Sequence, residues 1–347
     1  MDAVSQAALC RAATQDVAWI RVEETSSVGA ARRVAGVLAD KLGCSPTRVA
    51  EIEVAVTELG TNLVKHATEG VMVVRSVRTV DEAVVEVVAV DRGPGIGDMD
   101  KVFRDGHSTS GTLGIGLGAV LRLADSHEVY SELSAGTVLA VRFHPRRTRI
   151  DTTGDVSAGV TRPINGEEIC GDSYAVRRVD GRTLLMLCDG AGHGPLAASA
   201  SQLAVRVFCE SESSDSEVLV GQIHRALAGT RGGAVAVAQL DEGAGQVRFT
   251  GIGNISGAVV AAGQKRGMVC LPGIAGHQAR KIRSFDYPVP ADAAVVMHSD
   301  GLTERWTAQG RERLFAGRPL PIAMTLLRDA GTRRDDASVL VAKLPGG

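Results

Sequence analysis

Five aspartates in the back half of this 347-residue chain stand beside apolar runs. Asp172 follows Cys170-Gly171 and precedes the run Tyr174 to Val179. Asp189 closes Thr183 to Cys188 and opens Asp189-Gly-Ala-Gly-His-Gly194. Asp300 follows Ala293 to His298 within Ser299-Asp300-Gly301, and Asp335-Asp336 leads into Ala337 to Val341. Carboxylates at strand ends project from loops, and loops can converge. Converging carboxylates repel unless a cation lies between them. Oxygen ligands without a His/Cys set point to Mg2+ or Mn2+ rather than zinc. Two such ions can lower the pKa of a water and aim it at a phosphate ester. One Asp-Gly dipeptide alone is an ordinary turn; the ordered set of acidic strand ends is what argues for a shared centre.

The front half carries a different constellation. Asp91-Arg-Gly-Pro-Gly-Ile-Gly97 follows the apolar run Val84 to Val90, and Gly111-Thr-Leu-Gly-Ile-Gly-Leu-Gly118 comes next. Glycine lets bare backbone approach a ligand. A loop that opens into a helix turns free N–H groups toward an anion. Asp91, at a strand end, can accept from a ligand amino group. Upstream, Glu58 and Asn62 are four residues apart and share one helix face. Together they could provide a proton acceptor and a Mg2+ ligand; separately they read as helix-surface residues. Two successive glycine loops preceded by helices do not match the strand-loop-helix start of a dinucleotide fold.

The positioning elements follow from periodicity and caps. Helices are expected over residues 27–42 and 46–67, the first with Ser27 as cap and Gly43 as its stop. The second starts at Ser45-Pro46, a capping residue followed by proline. In it Val49, Ile52, Val56, Leu59 and Leu63 form one apolar stripe. Strands near 71–77 and 83–90, a helix near 116–125 and strands near 127–131 and 137–143 complete a two-layer α/β sandwich. Pro145-Arg-Arg-Thr-Arg149 breaks the pattern, and its arginines read as a solvated linker. The chain is thus divided into residues 1–147 and 148–347. In the back half, strands alternate with a small-residue helix, Pro195 to Glu210, and the acidic-serine patch Glu210 to Glu217 reads as a solvated loop.

Glu58-Leu-Gly-Thr-Asn62, Asp91 to Ile96, Gly114 to Gly118 and Ala135-Gly-Thr137 resemble the asparagine box, the two glycine boxes and the final Gly-Thr box of the GHKL ATPases. The short length resembles the anti-sigma-factor serine kinases of the RsbT/RsbW type. That resemblance implies a Bergerat α/β sandwich binding ATP with Mg2+. Glu58 would be the general base, Asn62 the Mg2+ ligand and Asp91 the adenine contact. Gly93, Gly95 and Thr137 would shape the adenine pocket. Gly111, Thr112, Leu113, Gly114, Gly116, Leu117 and Gly118 would cradle the phosphates.

Gly171-Asp172, Asp189-Gly190 through Gly194, Ser299-Asp300-Gly301 and Asp335-Asp336-Ala-Ser338 resemble the PP2C-type phosphatases of the SpoIIE/RsbU/RsbX branch. That implies an α-β-β-α sandwich holding two Mn2+ or Mg2+. Asp189 would bridge both ions, Gly190 would contribute its carbonyl, and Asp172, Asp300 and Asp335 or Asp336 would complete the shell. Asn254 stands at a turn that would face the cleft, and Arg162 is the candidate for a phosphate-binding arginine. His193 and His298 flank metal positions and read as supporting or packing residues. His66, His107 and His277 have no partner that the sequence names.

The whole is expected to be an α+β protein of two domains. Its 38 Lys and Arg against 40 Asp and Glu give a formal net charge of −2, which excludes a basic bias toward nucleic acid or an acidic membrane. Aromatics at 3% leave no stacking platform for single strands. The start lacks a signal-peptide pattern. Six scattered cysteines without a C-x-x-C pair suit a reducing cytosol, so a cytoplasmic location is expected. The implied function is a pair of opposed activities on one Ser or Thr of a STAS-type anti-sigma antagonist or a stressosome-like protein. The alternative is a phosphatase whose front domain binds ATP and docks the partner, or a sigma factor, without transferring phosphate. The sequence does not specify an oligomeric state.

Overall fold

The first strand, β1 (Arg11–Ala12), pairs antiparallel with residues 175 and 176 of the back half, and the neighbouring Cys10 is bonded to Cys209. The computed structural model describes residues 10–12, 17–78, 83–97, 116–146, 156–279 and 281–344. It divides into two units, residues 16–153 and residues 1–15 with 154–347. This departs from the sequence expectation twice. The front unit begins after β1 rather than at residue 1, and Cys10 and Cys209 are not free thiols. Both partnerships join residues 163 or more apart, beyond the reach of local patterning. Cys44, Cys170, Cys188 and Cys270 take part in no disulfide.

In the front unit β2 (Val17–Arg21) precedes α1 (Thr25–Lys41) and α2 (Pro46–His66). Then come β3 (Val71–Arg78), β4 (Ala83–Val90), α3 (Gly116–Leu123), β5 (Ser126–Glu132) and β6 (Gly136–Phe143). The five strands form one antiparallel sheet in the order β2-β3-β4-β6-β5. Gly43 ends α1 with φ +77°, and the Ser45 hydroxyl accepts from Arg48 N at 3.2 Å to start α2. The expected stripe of α2 is buried: Ile52, Val56, Leu59 and Leu63 pack on Met72, Val74, Val87 and Val141 of the sheet. Each such side chain contributes about 1.5–3 kcal/mol by leaving water. Buried Arg48 locks the first turn of α2 in place. It donates to the carbonyls of Leu123 (2.9 Å) and His144 (3.1 Å) and pairs with Asp125 and Glu51.

Opposite the helices, the sheet carries a buried ionic row that periodicity does not reveal. Glu86 on β4 stands across from Arg75 on β3 and Arg142 on β6. Its carboxylate accepts from Arg75 Nε at 2.7 Å and from Arg142 Nε at 2.6 Å, with no solvent exposure. Burial pushes its pKa up, but the two guanidiniums outweigh burial and hold it below the ordinary value. Glu86→Ala would leave two guanidiniums without their shared partner. It is expected to destabilise the front unit by about 3–5 kcal/mol, read as a lowered urea midpoint. With its pKa depressed, the contribution of Glu86 is present above the ordinary carboxylate range and is lost as pH falls through the folded value.

The back unit runs β7 (Ser157–Arg162), β8 (Asp172–Val179), β9 (Arg182–Gly190), α4 (Pro195–Glu210), α5 (Ser216–Ala226), β10 (Gly233–Asp241), β11 (Gln246–Ile252), β12 (Ser256–Ala261) and β13 (Gln264–Met268). It continues with β14 (Gly273–Ile274), β15 (Gln278–Ala279), β16 (Ser284–Pro288), β17 (Ala294–His298), α6 (Glu312–Ala316), α7 (Pro319–Ala330) and β18 (Ala337–Lys343). Two antiparallel sheets, β1-β8-β9-β10-β11-β16 and β13-β12-β17-β18-β7, stack face to face. Leu185, Leu187, Ala236 and Phe249 of one meet Val259, Val295, Met297 and Leu340 of the other. On the outer face of the first sheet, Ala200, Ala204 and Phe208 of α4 and Leu219 and Ile223 of α5 cover Leu184, Met186 and Val235. Helix α7 packs on β18 and β7. The result is the expected α-β-β-α sandwich.

The acidic-serine patch is not a solvated loop. Asp215 caps α5 by accepting from Glu217 N (2.8 Å) and Val218 N (3.0 Å), Ser216 is buried, and buried Arg177 donates to the carbonyls of Ser211 and Ser213. Among the described residues no helix is long and apolar enough to cross a membrane.

Candidate functional site

In the back unit the acidic strand ends meet. β8 and β9 pair in a register that sets Asp172 directly across from Asp189. Asp189 and Asp300 touch carboxylate to carboxylate, and Asp189, Asp300 and Asp335 line one open cleft of about 460 Å³. Asn254 also lines it and donates to Asp300 Oδ2 at 2.7 Å, as its turn position implied. Glycine is required where loops press together. A Cβ on Gly190 would strike the Ala197 carbonyl oxygen, and one on Gly301 the Asp336 carbonyl oxygen.

Asp172, across the strand pair from Asp189, is buried, and it is held by two serines that have no role assigned from sequence. Ser338 Oγ donates to Asp172 Oδ2 at 2.7 Å, Ser299 bonds the same carboxyl, and Ser338 N donates to Ser299 Oγ at 3.0 Å. Asp172 Oδ1 is buried with no hydrogen-bond partner. The signal for these serines was their place beside Asp300 and Asp336 in two motifs. What it lacked was a target, which only the stacking of the two sheets supplies.

The structure separates Asp335 from Asp336. Asp336 is turned inward: Oδ1 accepts from Ile164 N and Oδ2 from Gly171 N, each at 2.7 Å. Both oxygens are committed to bracing the segment before β8. Asp335 faces the cleft instead. Arg162 donates to the Thr332 carbonyl and is not among the residues that line the cleft. His298 is a packing residue, accepting from Trp306 Nε1 at 3.1 Å, while His193 lies 3.3 Å from Glu167 at the surface. His277 has a partner after all, the Thr230 carbonyl at 3.0 Å. His66 is exposed, and His107 lies outside the described residues.

Among the described residues, no three His, Cys, Asp or Glu side chains are drawn into a finished metal cage. The donor set nonetheless fits divalent cations. It is made of carboxylate oxygens, its buried Asp172 Oδ1 lacks a partner, and its charges are mutually repulsive. Burial and then the neighbouring carboxylates push Asp189 up to about 9; burial, opposed by the two serines, leaves Asp172 at about 7. Both are raised above an ordinary value of 3.8, so the stability they contribute without metal is full below that value. It is lost as pH rises through the folded values. Metal-free protein is therefore expected to lose thermal stability between about pH 4 and 9, and Mg2+ or Mn2+ to restore it most at the alkaline end. A melting series with EDTA against Mn2+ checks this.

In the front unit the candidates also form one neighbourhood. Glu58 and Asn62 are half-buried on one face of α2, beside buried Leu59 and Leu63. The loop after β4 packs against the end of that helix: Arg92 N donates to Thr68 O at 2.8 Å, and a Cβ on Gly93 would come within 3.0 Å of His66 O. Asp91 Oδ1 accepts from Gly93 N at 2.6 Å, and Asp91 N donates to Thr137 O at 3.0 Å. Ser131 Oγ bonds both Thr137 Oγ1 (2.8 Å) and Ile96 N (2.7 Å), fastening the loop to β5 and β6. Gly95 has φ +73° and lies so close to the Glu132 carbonyl that a side chain could not fit. Gly116, Leu117 and Gly118 open α3. Gly111, Thr112, Leu113 and Gly114 lie outside the described residues.

Residues 22–143 match the histidine kinase-like ATPase domain, and residues 179–345 match stage II sporulation protein E. The front unit is 35% identical over 122 residues to the serine/threonine-protein kinase RsbT of Bacillus subtilis (strain 168), covering 35% of this chain and 92% of that protein. The back unit is 22% identical over 182 residues to the phosphoserine phosphatase RsbX of the same organism, covering 52% of this chain and 89% of that protein. A crystal structure of RsbX in complex with magnesium covers 54% of this chain and 94% of its own, with 20% identity and a TM-score of 0.48.

Proposed function

Because the chain belongs, over its front unit, to the family of the histidine kinase-like ATPase domain and carries a SpoIIE-like phosphatase domain behind it, we propose that it adds and removes phosphate on Ser or Thr of one regulatory partner. The partner class is a STAS-domain anti-sigma antagonist or a stressosome-like protein. The observation that carries the reading is the meeting of Asp189, Asp300 and Asp335 at one cleft, with Asp172, whose Oδ1 has no partner, across the strand pair from Asp189.

In the back unit Asp172, Asp189, Asp300 and Asp335 would hold the cations, with Gly190 offering its carbonyl. When bound, such cations neutralise phosphate charge and make water a nucleophile at neutral pH. Ser299 and Ser338 fix Asp172 so that Oδ1 is the oxygen left to bind. Asp336 keeps the approach to β8 in shape through Ile164 and Gly171. Asn254 orients Asp300. In the front unit the loop from Asp91 to Gly97 and Thr137 would seat adenine, and Gly111 to Gly118 the phosphates. Asn62 would hold Mg2+, which offsets charge on the transferred phosphoryl group. Glu58 would take the proton of the substrate hydroxyl.

The test is phosphate release from a phosphorylated STAS protein by the full chain with Mn2+, with and without ATP. Release that needs Mn2+ or Mg2+ is the expected result. No release under either cation overturns the phosphatase assignment.

A further inference from the structure

We infer that Arg231 binds the phosphoryl group of the substrate, a phosphate monoester. This rests on the phosphatase reading of the cleft. The charged side chains that line the cleft, Asp189, Asp300 and Asp335, are all acidic. A monoester that approaches them carries negative charge of its own, and a guanidinium at the rim would meet its oxygens in a two-pronged geometry.

Arg231 is not itself a lining residue of the cleft, but its neighbours across and along the chain, Gly192 and Gly233, are. β9 and β10 pair with Gly190 across from Gly233, and Ala191 N donates to Gly232 O at 3.0 Å. The paired ladder ends at Gly190 and Gly233; Arg231 stands two residues before Gly233, and Gly192, which lines the cleft, two residues after Gly190. The side chain follows the backbone: Arg231 Nη1 would be 3.1 Å from a Cβ on Gly192. Glycine at 192, with φ +86°, therefore leaves the space that the guanidinium occupies.

The segment around Arg231 is held from both sides. Thr230 Oγ1 donates to Leu227 O at 2.7 Å and accepts from Gly232 N at 2.9 Å, while Thr230 O meets His277 Nε2 at 3.0 Å. Gly232, at φ +71°, lies so close under the Ala275 carbonyl that a Cβ would collide with it. Arg231 itself is exposed. Arg75, Arg142 and Arg248 sit in ion pairs, whereas among the described residues Arg231 has none. Arg162, the candidate from sequence, is committed to the Thr332 carbonyl instead.

The experiment uses the full chain with Mn2+ and p-nitrophenyl phosphate, comparing the parent with Arg231→Ala and Arg231→Lys. A hydrogen-bonded charge pair of this kind corresponds to roughly a 10- to 100-fold change. Arg231→Ala is expected to lower kcat/KM by that factor and to raise the inhibition constant of inorganic phosphate by a similar one. Arg231→Lys should recover part of both. Calorimetric titration should show weakened phosphate binding in Arg231→Ala with unchanged Mn2+ affinity. Parent-like phosphate inhibition in Arg231→Ala overturns the assignment, and so does a matching loss of Mn2+ affinity, which would mark a structural role. If the parent hydrolyses no phosphate ester, the phosphatase reading fails by itself. Phosphate titration of parent and Arg231→Ala then decides the role of Arg231 independently, and equal binding overturns it.

Discussion

Asp189→Asn is expected to abolish cation-dependent dephosphorylation, lowering kcat/KM by about a thousandfold or more, the scale of several kcal/mol of lost metal-assisted stabilisation. Asp189 stands across from Asp172, touches Asp300 and lines the cleft with Asp335, so the other three carboxylates all face it or share its cleft. It is held at the end of β9, where Leu185, Met186, Leu187 and Cys188 have no exposure, and the substitution should not disturb the fold. Asparagine keeps the size of the side chain and a hydrogen bond to Asp300 while removing one charge. Stability should therefore move opposite to activity. Asp189 titrates near 9 in the folded protein because burial and its neighbours oppose its ionisation. An amide escapes that opposition, so metal-free Asp189→Asn should melt above the parent at neutral and alkaline pH. Two measurements, phosphate release with Mn2+ and melting in EDTA, test the pair. A variant that keeps its activity, or that loses both activity and stability, removes Asp189 from the proposed metal centre.

Glu58→Gln is expected to lower phosphoryl transfer to the partner by about 10²- to 10⁴-fold while leaving ATP binding intact, the usual range for loss of a general base. Glu58 lies on α2, whose position is set at one end by Ser45 and Arg48 and along its length by the buried stripe from Ile52 to Leu63. Glutamine preserves shape and helix propensity, so a loss would report the missing proton acceptor rather than a displaced helix. The comparison belongs in an Asp189→Asn background, where the product is not hydrolysed. Transfer at the parent rate by Glu58→Gln excludes Glu58 as the base. If parent and variant both bind ATP and neither transfers phosphate, the front unit is a nucleotide-gated docking module, and the chain acts as a phosphatase alone.

Much of this was legible because it is local. Ser45-Pro46 starts α2 by a hydrogen bond three residues long, and Gly43 stops α1 because its backbone is left-handed. The stripe from Ile52 to Leu63 follows from helix periodicity, and the acidic residues could be placed at strand ends because apolar runs stop there. Gly95 and Gly190 stand where a side chain would strike a neighbouring carbonyl, and such glycines appear in the sequence as crowded loops. The choice between Asp335 and Asp336 could not be made that way. It depends on Ile164 and Gly171, whose amides reach Asp336 across 172 and 165 residues. The serine clamp on Asp172, the disulfide from Cys10 to Cys209, the transfer of β1 to the back unit and the Arg75–Glu86–Arg142 row are of the same kind. Apart from the Arg75–Glu86 half of that row, which spans one hairpin, each is a pairing between elements distant in the chain. A residue type and its neighbours limit what a side chain can do, but which oxygen is satisfied and which is left for a cation is decided when the sheets close on one another.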